Sequence, residues 1–460
     1  MKTFLVLIFT LTLFLSCPSF CQQFGRGVLL EDSLYANSPI AVTLMRGDYQ
    51  DVPSSYSLKE FTPTPGNQGL HGTCAGWSTA YSARTILEAL KYKWEQSTID
   101  SNAFSPSFIY NQIRVSKGCY NGTSLIDALD ILKKSGCEKL SDFAYDCDRE
   151  VNDSDKYKAS EFKIIEYREI ANNQTANKSL FVKKSIANNR PVVIAMKCPH
   201  SFNYAKSLWV PDSIDYKSGK LDGHGITVIG YDDYKFNGAF ELINSWGTKW
   251  GNKGFTWIRY TDFDKFCCYA FEVLDKPSSS SNFPDLSGTI KFIESSGSGM
   301  SVTYNGSYFI TDKAYSSGTL FELRISNNEP AYVYAFGSDS SRKVSKIFPL
   351  NERMAAFLPY KKNNIAIPDE DHYNIIDEKP GPSYFCFLYA KNSLDISDII
   401  NKIENGNGSF IERLNNAIAA IKVDIKDINF KNGSEIRFTA KSNGRIVVPV
   451  LVEIPKPKYK

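Results

Sequence analysis

Three short segments, widely separated and in a fixed order, constrain this chain more than any other feature. They are Gln68-Gly-Leu-His-Gly-Thr-Cys74, Gly223-His224-Gly225 and Asn244-Ser-Trp246-Gly-Thr-Lys-Trp250-Gly. For their side chains to meet, a loop leading into a helix must lie against the start of one strand and the end of the next. That requires a helical part and a sheet part facing each other, an α+β arrangement.

The periodicity agrees. From Cys74 onward Ala80, Ala83, Leu87 and Leu90 recur at helical spacing with Ile86 beside them, and no Gly or Pro follows Gly76 as far as residue 93. A second helix is predicted over 105–115, with Ser105 as N-cap and Pro106 at the first helical position. A third covers 124–135, with Leu125, Leu129 and Leu132 on one side, and stops at Gly136. Then the period shortens. Residues 190–196, 225–231, 239–243 and 254–260 read as strands, with 232–238 as a hairpin loop.

Cys74 falls where the loop becomes the first helix. The free N–H groups and dipole there favour a thiolate, the form in which sulfur is a nucleophile. Taken alone, a buried structural cysteine is the commoner finding. The chain has four histidines: His71, His200, His224 and His372. His71 stands three residues before Cys74 and competes for the role of base. His224 sits between two glycines that permit close approach at the start of an apolar strand. A base needs its second ring nitrogen held, and the Asn244 carboxamide suits that role, with Trp246 covering the bond. The Gln68 amide and the Cys74 backbone N–H suit an oxyanion. Asn-Ser-Trp-Gly by itself also reads as a turn, but a turn has little use for both Trp246 and Trp250.

These residues resemble the papain-type cysteine peptidases, in that family's chain order. The likeness spans about 53–275 and is carried most specifically by the run from Asn244 to Phe255. Gly118-Cys-Tyr-Asn-Gly122 resembles the family's segment lining the substrate cleft, with Gly225, Trp246 and Trp250 as supporting residues. The resemblance implies a two-lobed fold. Cys74 would belong to a helical lobe, His224 and Asn244 to a β-barrel-like lobe, with the cleft between them. It further implies hydrolysis of a polypeptide substrate through a thioester, with no cofactor and no metal. The chain departs from the family at His71, where a bridging cysteine is usual, so Cys119 is free or paired elsewhere. Ala75 replaces a tryptophan and Asn121 a glycine. No long helical pro-segment precedes the domain: 22–50 is a short connector, implying another mode of latency or none. Two other readings stand beside the peptidase. One is a catalytically silent binding module of the same fold; the other is a Cys-His amidase or acyl transferase acting on cell-wall peptides.

The ends of the chain carry different signals. Lys2 and the apolar run 4–15, with Ser19 and Cys21 before Gln22, read as an export signal over 1–21. A lipidated Cys17 is the rival. No other stretch approaches ~18 apolar residues, so no transmembrane span is expected once the signal is removed. Export permits disulfides, and Cys119, Cys137 and Cys147 are the candidates, while Cys198 and Cys386 read equally as buried thiols. Histidine and cysteine spacing disfavours a metal. A formal net charge of +3 gives no reason to expect nucleic acid.

The peptidase-like domain is placed at 51–276 and a Pro/Ser-rich linker at 277–284. A mainly β domain with two helices, at 396–403 and 410–420, follows over 285–460. Its expected strands are 288–293, 301–304, 319–325, 331–336 and 383–390, with a last hairpin over 435–453 turning at Asn443-Gly444. The run from Phe321 to Tyr334 resembles an accessory domain that accompanies bacterial peptidases and kinases. Its aromatics read as cross-strand core pairs, or as a face for a cell-surface or protein partner.

Overall fold

The computed structural model describes residues 24–219, 221–275, 285–339 and 342–457. The export signal at 1–21, Cys17 and the linker at 277–284 lie outside the described residues.

One continuous helical stretch covers 74–92. It is α-helical at its ends and π-helical over Trp77–Arg84. Lys93 ends it in the left-handed conformation (φ 55°). Ala80, Ala83 and Ile86 are fully buried, as the spacing predicts. Gly76 lets the helix Pro106–Ile113 pack against it, because a Cβ there would lie 2.4 Å from the Pro106 carbonyl oxygen. Ser105 caps that helix by accepting from the Phe108 N–H, and Ser124 caps Leu125–Lys134 in the same way. Gly136 (φ 83°) follows the latter.

Among the described residues the facing sheet has eight strands. Its order is Glu166–Ala171, Cys267–Leu274, Val192–Cys198, Asp222–Asp232, Ala239–Ile243, Phe255–Arg259 and Leu208–Trp209, with Ser55–Ser57 paired to Asp222–Asp232. Val193 and Ala195 point into the core shared with Leu87 and Leu129, while Val192, Ile194 and Met196 join Val228, Leu242 and Trp246 on the other face. Burial on both faces explains why the first five residues of this strand, Val192 to Met196, are an unbroken apolar run.

The C-terminal domain packs two antiparallel-rich sheets face to face. Ile290, Phe292 and Phe321 from one meet Phe385, Phe387 and Val450 from the other. The helices Ile396–Asn405 and Phe410–Ile418 cover the outer face of the second sheet. The expected final hairpin does not form. Ile436–Ala440 pairs with Leu286–Glu294 and Ile428–Lys431, whereas Val447–Ile454 pairs with Ser383–Ala390 and Phe309–Thr311. Asn443 (φ 48°) and Gly444 (φ 85°) do turn the chain, but as a corner between sheets. The burial patterns differ accordingly. Ile436–Ala440 alternates buried and exposed, and Val447–Ile454 is covered on both faces.

A buried charge cluster joins the two domains. Arg168 donates to Glu272 (Nε–Oε1 2.7 Å) and to the Phe357 carbonyl (2.8 Å). Tyr360 and Ser185 donate to the other Glu272 oxygen at 2.5 and 2.8 Å. Burial alone would raise the Glu272 carboxyl, but Arg168 and Arg190 hold it below the usual range.

Candidate active site

Strand register brings the imidazole and the carboxamide together. Ile243 pairs with Thr227, so Asn244 emerges beside the His224 end of the neighbouring strand. His224 Nε2 lies 2.8 Å from Asn244 Oδ1. The Trp246 ring covers this pair, its centroid 4.7 Å from the imidazole. Trp250 meets Trp246 edge-on and donates to the Phe202 carbonyl at 3.1 Å. His224 Nδ1 is buried without a hydrogen-bond partner.

Cys74 begins the long helix, fully buried. Its sulfur faces the backbone N–H groups of Gly225, Val28 and Gly27. Gly225 is where the two lobes touch: a Cβ there would lie 3.1 Å from the Cys74 carbonyl oxygen. The expected thiolate is not the state favoured here. Burial pushes the Cys74 thiol up to about 11, outweighing the N–H groups that pull it down. Burial also pushes His224 down to about 4, with Asn244 opposing the shift and the Arg26 charge adding to it. In this closed arrangement thiol and imidazole are both neutral at pH 7.

The burial comes from a segment to which the sequence drew no attention. Residues 24–31 run along the groove between the lobes. Gly25 N–H donates to the Gly69 carbonyl at 3.0 Å and Gly27 N–H to Gly223 at 3.1 Å. Val28 forms a parallel bridge with Thr123, beside Gly122, where a Cβ would lie 2.3 Å from the Gly27 carbonyl oxygen. The Gly25 carbonyl accepts from Gln68 Nε2 at 3.1 Å and Trp246 Nε1 at 3.0 Å. Phe24 stacks on Trp246 at 4.6 Å. The amide expected to meet an oxyanion is therefore already donating to a carbonyl of the chain itself. Ser245, also missed, fixes that amide by donating to Gln68 Oε1 at 2.5 Å. The available signal was the pair Gly25 and Gly27: side chains there would collide with the His71 and Gly72 carbonyls at 2.1 and 2.4 Å.

The other sequence candidates separate clearly. His71 Nδ1 contacts Tyr145 Oη at 2.9 Å, and that hydroxyl also meets Thr73 at 2.8 Å. Cys119 bridges to Cys147, with a Cα separation of 5.4 Å, while Cys137 is a buried free thiol rather than a bridge partner. Cys198 and Cys386 are buried and free. His71 lies with the bridged sulfurs in a group whose ligand atoms are within 4.8 Å of one another, a proximity that linear spacing concealed. The two sulfurs are committed to each other.

Among the described residues no helix is long and apolar enough to cross a membrane. The sequence profile of the papain family cysteine protease matches residues 61–273, and that of a domain of unknown function (DUF4384) matches 314–392. Cysteine protease XCP2 of Arabidopsis thaliana is 26% identical over 222 residues, covering 45% of this chain and 55% of that protein. Cathepsin K of Mus musculus is 26% identical over 211 residues, covering 44% and 59%. The chain thus spans a little over half the length of these curated relatives. Xylellain, a cysteine protease from Xylella fastidiosa, aligns in structure with a TM-score of 0.45 and 20% identity, over 55% of this chain and 96% of that one. On the family matches at 61–273 and 314–392, the chain carries a papain-family cysteine protease domain, followed by a domain of the DUF4384 type.

Proposed function

We propose that this protein is an exported cysteine endopeptidase in which Cys74, His224, Asn244 and Gln68 carry the chemistry. The observation that bears most weight is the His224–Asn244 contact of 2.8 Å beneath Trp246, which leaves Nδ1 buried and without a partner. Asn244 fixes one tautomer, so Nδ1 is free to take the Cys74 proton. The thiolate attacks the peptide carbonyl carbon, and the oxyanion is held by Gln68 Nε2 and the Cys74 N–H. The imidazolium returns its proton to the nitrogen as the C–N bond breaks and the amine leaves. A thioester remains, which water hydrolyses with His224 as base.

Residues 24–31 must first move out, since the sulfur is fully buried beneath them. Their withdrawal rehydrates the site, lowers the thiol pKa and raises that of the imidazole. The sealed groove is also what favours the silent-module alternative. A thiol-trapping epoxide with full-length protein separates the two. Stoichiometric labelling of Cys74, abolished in Cys74→Ala, with cleavage of a peptide library, supports the peptidase. Absence of any adduct after prolonged incubation sinks it. His224→Ala removes turnover on this reading, whereas loss in His71→Ala with retention in His224→Ala would reassign the base. Domain boundaries at 51–276 and 285–460 and a role for the C-terminal domain in holding a surface or protein partner belong to the same proposal.

A further inference from the structure

Arg26 is the one long cationic side chain within the segment 24–31, and its guanidinium is held by the groove wall rather than by the segment. Nε donates to Cys198 Sγ at 3.2 Å and Nη1 to Asp222 Oδ2 at 3.5 Å. Nη2 donates to the Pro199 carbonyl at 3.3 Å and to Asn203 Oδ1 at 2.7 Å. The guanidinium also lies 5.9 Å from the Trp246 ring centroid. Its side chain is only 16% exposed.

The recess is built by the fold. Cys198 and Asp222 are register partners on adjacent strands, and the turn His200–Tyr204 continues directly from Cys198. Asp222 precedes His224 by two residues, so the recess borders the imidazole. Its chemistry is selective. Asp222 is 76% exposed, so the ion pair alone contributes little. The acceptors are spread over all three nitrogens of one plane, Cys198 Sγ at Nε, Asp222 Oδ2 at Nη1, and the Pro199 carbonyl with Asn203 Oδ1 at Nη2. A lysine ammonium has the charge but not that shape.

We propose that the recess of Cys198, Pro199, Asn203 and Asp222 is a recognition subsite for an arginine side chain of the polypeptide acted upon, and that Arg26 is its resident occupant. The proposal rests on the peptidase reading for its substrate, but the recess itself is testable without turnover. A polypeptide then displaces residues 24–31 most readily when it presents arginine to the same wall. The backbone bonds of the segment are ones any extended peptide can make, so the side chain supplies the discrimination.

The first experiment uses full-length protein carrying Cys74→Ala, which cannot turn over. Hydrogen exchange is followed at the amides of Gly27, Val28 and Leu29. Arg26→Met accelerates it about tenfold or more, Asn203→Ala does the same, and Arg26→Lys has a smaller effect. A free peptide Phe-Gly-Arg-Gly-Val-Leu accelerates exchange by displacing the segment, and its Arg-to-Met counterpart does not. Unchanged exchange in Arg26→Met, or equal effects of the two peptides, overturns the subsite. The second experiment profiles cleavage by the full-length Arg26→Met protein with Cys74 intact. Arginine is enriched at one fixed position relative to the cut, and Asn203→Ala with Asp222→Ala lowers that enrichment about tenfold. Cleavage without an arginine preference overturns the subsite and leaves the peptidase reading standing. Arginine-dependent displacement with no cleavage or labelling supports the recess and rejects the peptidase reading.

Discussion

The two halves of the N-terminal segment use the same backbone pairing to different ends. The N–H groups of Gly25, Gly27, Val28 and Leu29 bond to the groove, to Gly69, Gly223 and Thr123 carbonyls at 3.0–3.2 Å. Within 24–30 just Gly25 and Val28 are buried. Residues 38–45 bond to both domains at once. Ala41 N–H donates to the Glu169 carbonyl at 2.9 Å and Ile40 N–H to Arg353 at 2.8 Å, while Met45 N–H donates to Asn364 at 2.9 Å. Val42 and Leu44 enter the core of the C-terminal sandwich, and Ser38 donates to Glu169 at 2.6 Å. Between the halves, Tyr35 stacks on Tyr269 at 3.8 Å and pins the chain. The difference lies in side-chain burial. One half covers a groove between the lobes; the other is part of the fold.

The largest expected effect concerns what the groove-covering half hides. Cys74→Ala abolishes epoxide labelling and lowers turnover by about 10⁴-fold or more, with the melting midpoint little changed. Next comes the joint that anchors the fixed half. Arg168→Met leaves Glu272 buried without its main partner, and denaturant titration should register a loss of about 3–5 kcal/mol. Labelling of Cys74 relative to folded protein should not change. Should Arg168→Met unseal the thiol, the two halves are coupled and the contrast fails.

Acid tests the groove. The His224 pKa is depressed to about 4, so the native state holds the neutral ring while the unfolded chain protonates at its ordinary value of 6.5. Its contribution is therefore fully present above about 6.5 and is lost as pH falls from there towards 4, a change of up to about 3 kcal/mol. Deleting residues 24–31 rehydrates the ring and should flatten that slope. The same deletion should accelerate alkylation of Cys74 about 100-fold, because a closed majority state no longer competes. Its effect on thermal stability should stay small, and a large drop would show that this half too belongs to the core. The smallest change is Ser38→Ala, at about 1 kcal/mol by denaturant titration, with no effect on labelling.

Sequence reasoning named Gln68, His224, Asn244 and Trp246, which lie around the groove, but not the segment that fills it. The helices from Cys74, Pro106 and Leu125 carried period and caps together, and each formed within a few residues of expectation. The strand Glu166–Ala171 went unread because Arg168 and Glu169 interrupt its apolar pattern, and both are buried through partners far away in the chain. The helix Lys178–Ala187 hid its buried face behind Lys178 and Lys184, whose ammonium groups end on backbone carbonyls. Residues 24–31 have no period because their main chain follows the groove, with Phe24, Arg26 and Val28 making contacts at irregular intervals. Their conformation is dictated by the groove, and nothing local announces it.

The seal over Cys74 also bears on how long the sulfur survives. Peroxides and disulfide exchange both require an accessible thiolate. With the thiol held at about 11 and wholly covered, the closed protein offers neither. Six described cysteines remain unbridged, so an oxidising milieu would otherwise threaten the Cys74 sulfur with sulfenic acid or a mispaired bond. Damage should fall on the opened form alone, so each molecule's oxidative lifetime begins when its groove is vacated.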